Sequence, residues 1–238
     1  VSSYTLVINH VPVNGKIIGS NDHESHYVFD ILYNNTSEIK SKLHSTDSHG
    51  SNKVNSFILY MFDYMFAPRY KKISNKGDKI CGFKKPSQYT NCIIKPTRKV
   101  KKQLIIDEGD NVLRILGSLA FKTTTQSVIV KKLSSPYTKK NKTKKAIWEM
   151  NDIVNSIYIL TYVDDLLLRQ GVQKVLNRGE SYHKLRKAVS HAFSGKFRVK
   201  TELEQQVWNE CGRLVSNCII FYNIWILSKL HDQLIKAG

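Results

Sequence analysis

KLHSTDSHG, residues 42–50, is the stretch that decides the fold of this chain. Its first half, KLHST, is typical of a short strand, and Asp47 follows it directly. The next segment, VNSFILYMFDYMF, has its apolar residues at helical spacing. Functional groups in open α/β sheets gather at the carboxyl ends of strands, which makes Asp47 a candidate site residue. The alternative role for Asp47 is a cap on the helix that follows.

The segments around this stretch predict a sheet with helical crossovers. YTLVI (residues 4–8) and GKIIG (residues 15–19) have strand character. A capping-box-like start at Asn21 and Glu24 then leads into a helix through HYVFDILYNN, and FAPRY after the second helix is a brief strand. The resulting β-β-α-β-α-β order indicates the α/β class.

The remainder of the chain divides by composition. Residues 70–102 are basic and loop-rich, the pattern after Gln103 is helical, and SSPYTKKNKTKK is a second basic linker, broken by Pro136. We therefore predict a sheet portion at 1–70, a basic and mainly helical insertion at 71–163, and further helices at 164–238.

Net charge favours a polyanionic partner. The chain has 37 lysines and arginines against 19 acids, a formal net charge of +18. Such an excess predicts association with nucleic acid, with a merely soluble basic protein as the alternative.

The cysteines and the most apolar segment indicate a soluble location. Cys81, Cys92, Cys211 and Cys218 lack zinc-binding spacing and are expected to be free thiols in a reducing cytoplasm. Residues 214–230 are apolar but slightly short for a membrane span, and asparagines interrupt them. We predict a core helix there and no membrane partner.

Glu180 lies in a predicted amphipathic helix. Leu185, Ala188, Val189 and Ala192 form an apolar face, whereas Glu180, His183, Lys184, Lys187 and His191 share another side. One interpretation is a surface helix with a Glu180–Lys184 pair; the other is that Glu180 holds a divalent ion while the cations neutralise phosphates. Helical spacing does not separate these two.

Several motifs in one order resemble a known family. VPVNGKIIGSNDHESHYVFDILYNN, LHSTDSHGSNKVN, FAPRYKKI, KTTTQSVIVKKLSS and LNRGESYHKLRKAVSHAFSGKF are similar to the catalytic region of the Tn-three family of bacterial transposases. The resemblance implies a DDE site on an RNase H-like fold, here a partial mixed sheet, with a helical insertion before the last glutamate and helices at the end. It places the second aspartate at Asp47 and the glutamate at Glu180.

The same resemblance implies an activity and its partners. The expected reaction nicks transposon ends and joins the 3′-hydroxyls to target DNA in replicative transposition, with Mg²⁺, or Mn²⁺ in its place, held by Asp47 and Glu180. Carboxylate oxygens suit two such ions better than thiolates or imidazoles, so His23, His26, His44 and His49 are not first choices as ligands. DNA contacts are expected from Arg178, His183, Lys184 and Lys187, in a nucleoid-associated cytoplasmic protein that is a homodimer at full length.

One departure from the family pattern bears on activity. No acid precedes Asp22, which begins a helix, so the first aspartate of the triad has no match. We therefore expect a C-terminal fragment that is inactive alone. The alternatives are a non-catalytic basic DNA-binding remnant and, more remotely, an RNA-associated basic protein.

Overall fold

A computed structural model describes residues 1–47, 50–70, 73, 79–134, 140–191 and 198–237. His49, Pro136 and Ala192 therefore lie outside the described residues. The elements in chain order are β1 (Ser2–Ile8), β2 (Val11–Ile18), α1 (Val28–Tyr33), β3 (Leu43–His44), α2 (Asn55–Met61), β4 (Met65–Phe66), β5 (Cys81–Gly82), β6 (Arg98–Lys99), α3 (Lys102–Asp107), α4 (Gly109–Ala120), α5 (Gln126–Ser134), α6 (Lys142–Asp164), α7 (Leu166–Val189) and α8 (Glu202–Ala237).

The first two strands form an antiparallel hairpin with a two-residue turn. Ile8 pairs with Val11, and the turn residues Asn9 and His10 have φ angles of 47° and 75°. Positive φ at both central positions is the geometry of a type I′ turn, whose twist matches that of the flanking strands. Asparagine and histidine enter this region more readily than most side chains. The strand character predicted for the two apolar segments is confirmed, and the structure pairs them as a hairpin.

The strand before Asp47 pairs in parallel with the strand after the next helix. Leu43 lies opposite Met65 and His44 opposite Phe66, and α2 lies in the crossover between the two strands. Parallel neighbours require such a crossover. The predicted β-β-α-β-α-β order is confirmed, and the chain is a mixed α/β structure. Each strand of the described segments has a single partner strand, and the RNase H-like arrangement stays a prediction.

Helix α6 is the scaffold for the packing around β4. Tyr158 and Tyr162 from α6 pack with Tyr70 at ring-centroid distances of 5.8 Å each. The Tyr158 hydroxyl donates to the carbonyl of Pro68 at 2.9 Å, and Tyr70 donates to Asn155 at 2.7 Å. The phenols of Tyr70 and Tyr158 thus each have a hydrogen-bond partner, as buried tyrosine hydroxyls usually do.

An arginine attaches β6 to the same helix. The Arg98 guanidinium donates to Glu149 at 2.7 Å and to Asp152 at 2.6 Å, and Glu149 also accepts from the backbone N–H of Lys101 at 3.2 Å. These hydrogen bonds raise the pKa of Arg98 against the opposing effect of its partial burial. The basic segment that precedes α3 is thus fixed to α6 at its end.

The start of α5 is held by side chains from other helices. Asp30 of α1 accepts from the backbone N–H groups of Gln126 and Ser127, at 2.8 and 3.1 Å. These are first-turn donors that have no partner within their own helix. Gln126, which is fully buried, accepts from the backbone N–H of Phe29 at 2.7 Å and donates to the Asn55 side chain. Three helices are joined through this one amide.

Two compact units divide the chain. The hairpin unit contains residues Val1–Asn21, Asn35–Ile39 and Asn177–Gly238, and the helical unit contains Asp22–Asn34 and Lys40–Leu176. Helix α7 has residues in both units. The three-part division of the sequence at residues 70 and 163 stays a prediction.

The prediction of a buried core helix at residues 214–230 is wrong. These residues belong to α8, in which Leu214, Phe221 and Leu227 are 64%, 72% and 64% exposed. By length and composition α8 is the one helix among the described segments suited to crossing a membrane, and 11% of its most apolar window is buried. Cys211 and Cys218 are likewise exposed rather than packed in a core.

Helix α8 instead packs against β2 through polar side chains. Arg213 donates to the carbonyls of Pro12 and Val13, both at 3.3 Å, and Asn217 donates to Pro12 at 3.2 Å. Gln206 accepts from the N–H of Ile17 at 3.3 Å. The core-helix prediction was wrong because an apolar pattern identifies only the helix faces that bury apolar side chains. The β2 strand instead offers backbone groups that require hydrogen-bond partners.

Gln126→Ala should lower the free energy of unfolding by about 2–4 kcal/mol, since it leaves a buried N–H and a buried amide oxygen unpaired and opens a cavity. Urea denaturation measures the effect. The matched control is Gln233→Ala on the exposed side of α8, which should change stability by less than about 0.5 kcal/mol. Equal effects of the two substitutions would contradict a structural role for Gln126.

Candidate active site

Asp47 lies at the carboxyl end of the parallel strand pair. Backbone bonds continue past β3 and β4, with the Ala67 N–H donating to His44 at 2.8 Å and the Arg69 N–H donating to Thr46 at 2.9 Å. Asp47 is the next residue and is exposed. The chain thus presents this carboxylate at the rim of the sheet, the position predicted from KLHSTDSHG.

The turn after Asp47 depends on a glycine. A Cβ atom on Gly50 would lie 2.4 Å from the Cβ of Thr46, so a larger residue has no room there. The Gly50 N–H points back and donates to Asp47 Oδ1 at 3.3 Å. Close approach of the two backbone segments therefore places an N–H donor against the candidate carboxylate.

At the start of α2, the side chain that accepts from the backbone is Asn52 rather than Asp47. Asn52 Oδ1 accepts from the backbone N–H groups of Val54 and Asn55, at 2.8 and 2.9 Å. Its Nδ2 donates to the carbonyl of Ser25 at 2.9 Å. Asn52 therefore accepts from the first N–H of α2, whereas Asp47 accepts from the backbone N–H of Gly50, before that helix.

The buried side chain of Asn55 donates a hydrogen bond to the same turn. Asn55 is fully buried, and its Nδ2 donates to the carbonyls of Gly50 and Ser25, at 2.9 and 3.0 Å. The Asn55 side-chain oxygen accepts from Gln126, which fixes the orientation of the amide. Asn52, Asn55 and Gln126 are site residues that the sequence did not predict; the asparagine before the apolar run VNSFIL is a signal typical of a helix start.

Below Asp47 lies a histidine that stays neutral. Burial of the ring lowers the pKa of His44 to about 4, and its Nε2 has no partner among the described residues. The hydroxyls of Ser45, Thr46 and Ser51 are likewise buried without a partner in those segments. The neutral imidazole of His44 thus adds no positive charge next to Asp47.

Glu180 lies on the exposed side of α7. Tyr182 is buried at 4% exposure, and its pKa is raised chiefly by that burial. Glu180, His183, Lys184 and Lys187 are exposed on the other side of the helix, as the helical spacing predicted. No ion pair joins Glu180 to Lys184, although the structure describes both residues. The surface-pair interpretation of Glu180 therefore has no support in the structure.

The four predicted DNA-binding residues are only partly brought together. His183, Lys184 and Lys187 follow Glu180 by three, four and seven positions and share its face. Arg178 precedes Glu180 by two positions, on the opposite side of the helix, and donates to Asn9 in the hairpin turn at 3.4 Å. Their contact with DNA stays a prediction.

The two candidate carboxylates belong to different units, Asp47 to the helical unit and Glu180 to the hairpin unit. Their convergence on one metal ion stays a prediction. Within residues 1–47, 50–70 and the other described segments, no group of three His, Cys, Asp or Glu side chains is arranged to hold a metal ion.

Asp22, the first acid of the chain, has a structural role. It pairs with Lys131 at 2.8 Å and accepts from the Tyr27 hydroxyl at 2.5 Å. The hydrogen bond from Lys131 is the largest cause that lowers the pKa of Asp22. These partners agree with the expectation that Asp22 does not replace the family's first aspartate.

Fold and geometry together define an α/β domain with an exposed carboxylate at the end of parallel strands, and comparison with known proteins gives its family. The family model described as Tn3 transposase DDE domain matches residues 1–238. The chain belongs to this family of transposase domains, the Tn-three family that its motifs resemble.

Relatives of this chain are transposases. The transposase for transposon Tn2501 of Escherichia coli is 29% identical, over 100% of this chain and 24% of that protein. The transposase for transposon Tn1546 of Enterococcus faecium is 28% identical over 94% and 22%, and that for transposon Tn501 of Pseudomonas aeruginosa is 26% identical over 96% and 23%. The chain thus spans about a quarter of the length of these curated relatives.

His44 should make stability depend on pH. The folded pKa of about 4 lies below the unfolded value near 6.5, so between these values the unfolded chain binds more protons and stability falls as pH falls. From pH 7 to pH 5 the loss due to His44 is about 2 kcal/mol. Urea denaturation of the wild type and His44→Gln measures it.

The substitution at His44 should flatten the pH dependence, even where it lowers stability at pH 7. His231→Gln, at an exposed position of α8, is the control and should leave the wild-type slope unchanged. An unaltered slope in His44→Gln would refute a neutral buried imidazole.

Proposed function

We propose that this domain is the catalytic part of a transposase that nicks transposon ends and joins the freed 3′-hydroxyls to target DNA. The observation that supports this proposal is that Asp47 is exposed at the end of a parallel strand pair, in a chain of the Tn3 transposase DDE domain family.

Asp47 and Glu180 are the residues proposed to hold divalent ions, Mg²⁺ first and Mn²⁺ as the alternative. Both are exposed, and carboxylate oxygens are hard ligands of the kind these ions prefer. When bound, such ions activate the attacking hydroxyl and neutralise the leaving oxygen of an in-line displacement. In the protein itself, the Gly50 N–H orients Asp47 and the buried Asn55 amide keeps Gly50 in place.

A further carboxylate must complete the site. The sequence has no acid before Asp22, and Asp22 is engaged by Lys131 and Tyr27. We infer that these residues lack the first aspartate of the triad, so that the 238-residue chain alone is inactive.

DNA is the proposed partner, as transposon ends and as target. A net charge of +18 favours binding to the phosphate backbone, and the exposed cations on α7 adjoin Glu180. We also propose, as expectations for the full-length protein, a homodimer without a membrane partner in a nucleoid-associated cytoplasmic location.

A second candidate is a non-catalytic DNA-binding remnant. It is favoured by one observation, that the described residues contain no three-ligand cluster. This candidate predicts DNA binding without strand transfer in every context, including the full-length chain.

Asp47→Asn and Glu180→Gln should each slow nicking and joining about 10³-fold in the full-length transposase, because each removes a charged metal ligand of nearly unchanged shape. The assay follows labelled transposon-end DNA with magnesium on a denaturing gel.

The matched control is Asp232→Asn on the exposed surface of α8, which should retain wild-type activity. The 238-residue chain alone should give no joined product. Wild-type rates in either site variant would exclude that residue from catalysis.

Lys184→Ala and Lys187→Ala should weaken DNA binding and each lower the slope of log K against log salt by about 1, since each removes one phosphate contact. Fluorescence anisotropy between about 50 and 200 mM salt measures the slope. Lys236→Ala, near the end of α8, is the control. Three indistinguishable slopes would remove α7 from the DNA interface.

A further inference from the structure

A cavity of about 340 Å³ adjoins the turn that carries Asp47. One wall comes from the residues that follow the turn, and the others from the region before α1 and from α5 and α6. The lining residues are Asn52, Lys53 and Val54, together with His26, Val130, Leu133 and Trp148. The volume is at the lower end of the range of small-molecule sites.

Two lysines meet at one tryptophan on this cavity. The Lys53 Nζ lies 4.5 Å from the centroid of the Trp148 ring, and the Lys144 Nζ lies 4.9 Å from it. Lys53 comes from the segment after Asp47, whereas Lys144 and Trp148 are one turn apart on α6. Two positive charges are thus gathered at a flat aromatic surface.

The chemistry of the lining selects the class of ligand. No carboxylate is among the described residues that line the cavity, so a metal cation has no suitable partner. Valine and leucine side chains lie with the tryptophan, and His26 adds a polar group whose Nδ1 has no partner among the described residues. Burial is the largest cause that lowers the pKa of His26, which favours its neutral form. An anionic ligand with a flat apolar ring fits this combination.

We propose that this cavity binds one base of a DNA strand, with Trp148 as the stacking surface and with Lys53 and Lys144 as contacts to the adjoining phosphates. The proposal rests on the proposed function in taking DNA as the partner. A base within a duplex is not accessible to such a cavity, so the bound base belongs to a single strand or is extruded from the stack.

The lysines have two alternative partners in this scheme. Without DNA, both ammonium groups lie against the Trp148 ring, and that of Lys144 belongs to a largely buried side chain. With DNA, the ammonium groups turn to phosphates and leave the ring face to the base. Base stacking is sequence-tolerant, so this site adds affinity at the strand near Asp47 without selecting a sequence.

Anisotropy with a fluorescein-labelled single-stranded (dT)8 tests the proposal. Trp148→Leu should weaken binding about tenfold, whereas Trp148→Phe, which keeps an aromatic face, should retain most of the affinity. Lys53→Ala should lower the salt slope by about 1. Trp225→Leu is a matched control, because Lys229 lies 4.0 Å from that ring on α8, and it should bind as the wild type does.

Fluorescence provides a second measurement for a Trp148→Leu protein that fails to fold. A protein with Trp208→Phe and Trp225→Phe keeps Trp148 as its tryptophan, and (dT)8 should quench its emission. The mononucleotide dTMP should compete far more weakly than (dT)8, because it lacks the second phosphate contact.

Three results would overturn the proposal: equal (dT)8 affinity of Trp148→Leu and Trp225→Leu, unquenched Trp148 emission while anisotropy shows binding, or dTMP binding as tight as that of (dT)8. The gel assay of Asp47→Asn reports on catalysis separately. If Trp148→Leu leaves (dT)8 binding unchanged while Asp47→Asn loses strand transfer, the base site is excluded and the catalytic assignment stands. If Trp148→Leu weakens binding while Asp47→Asn keeps the wild-type rate, the catalytic assignment is excluded and the base site stands.

Discussion

The candidate site depends on one chain of buried hydrogen bonds, from Gln126 to Asn55 and from Asn55 to the Gly50 carbonyl. Both side chains are fully buried, so each amide group must find its partner within the protein. That requirement permits one orientation of the Asn55 amide and hence one position of the Gly50 turn. The Gly50 N–H then reaches Asp47. The position of the exposed Asp47 carboxylate is in this way set by fully buried side chains.

Much of the sheet portion could be predicted from the sequence, because strands and helices differ in apolar period. The hairpin at the amino end and the β3–α2–β4 crossover follow that period closely. The position of Asp47 could also be predicted, since it needs only the end of a strand. Local signals sufficed wherever apolar burial and backbone geometry agreed.

Other features of the site could not be predicted from local patterns. The assignment of the helix cap to Asn52 rather than Asp47 depends on the turn at Gly50, and the role of Gln126 depends on contacts about 70 and 97 positions away in sequence. Arg178 is close to Glu180 in sequence yet points to the Asn9 turn. Long-range hydrogen bonds have no period, so they leave no pattern in a single sequence.

The contacts of helix α8 could not be predicted from its apolar pattern either. Its outer side chains are apolar, and its contacts with β2 are made by Gln206, Arg213 and Asn217. Hydrogen bonds to the β2 backbone, rather than buried apolar surface, fix the rotation of α8 about its own axis. Replacing those three side chains with leucine would therefore remove hydrogen bonds that fix the rotation of this helix against β2.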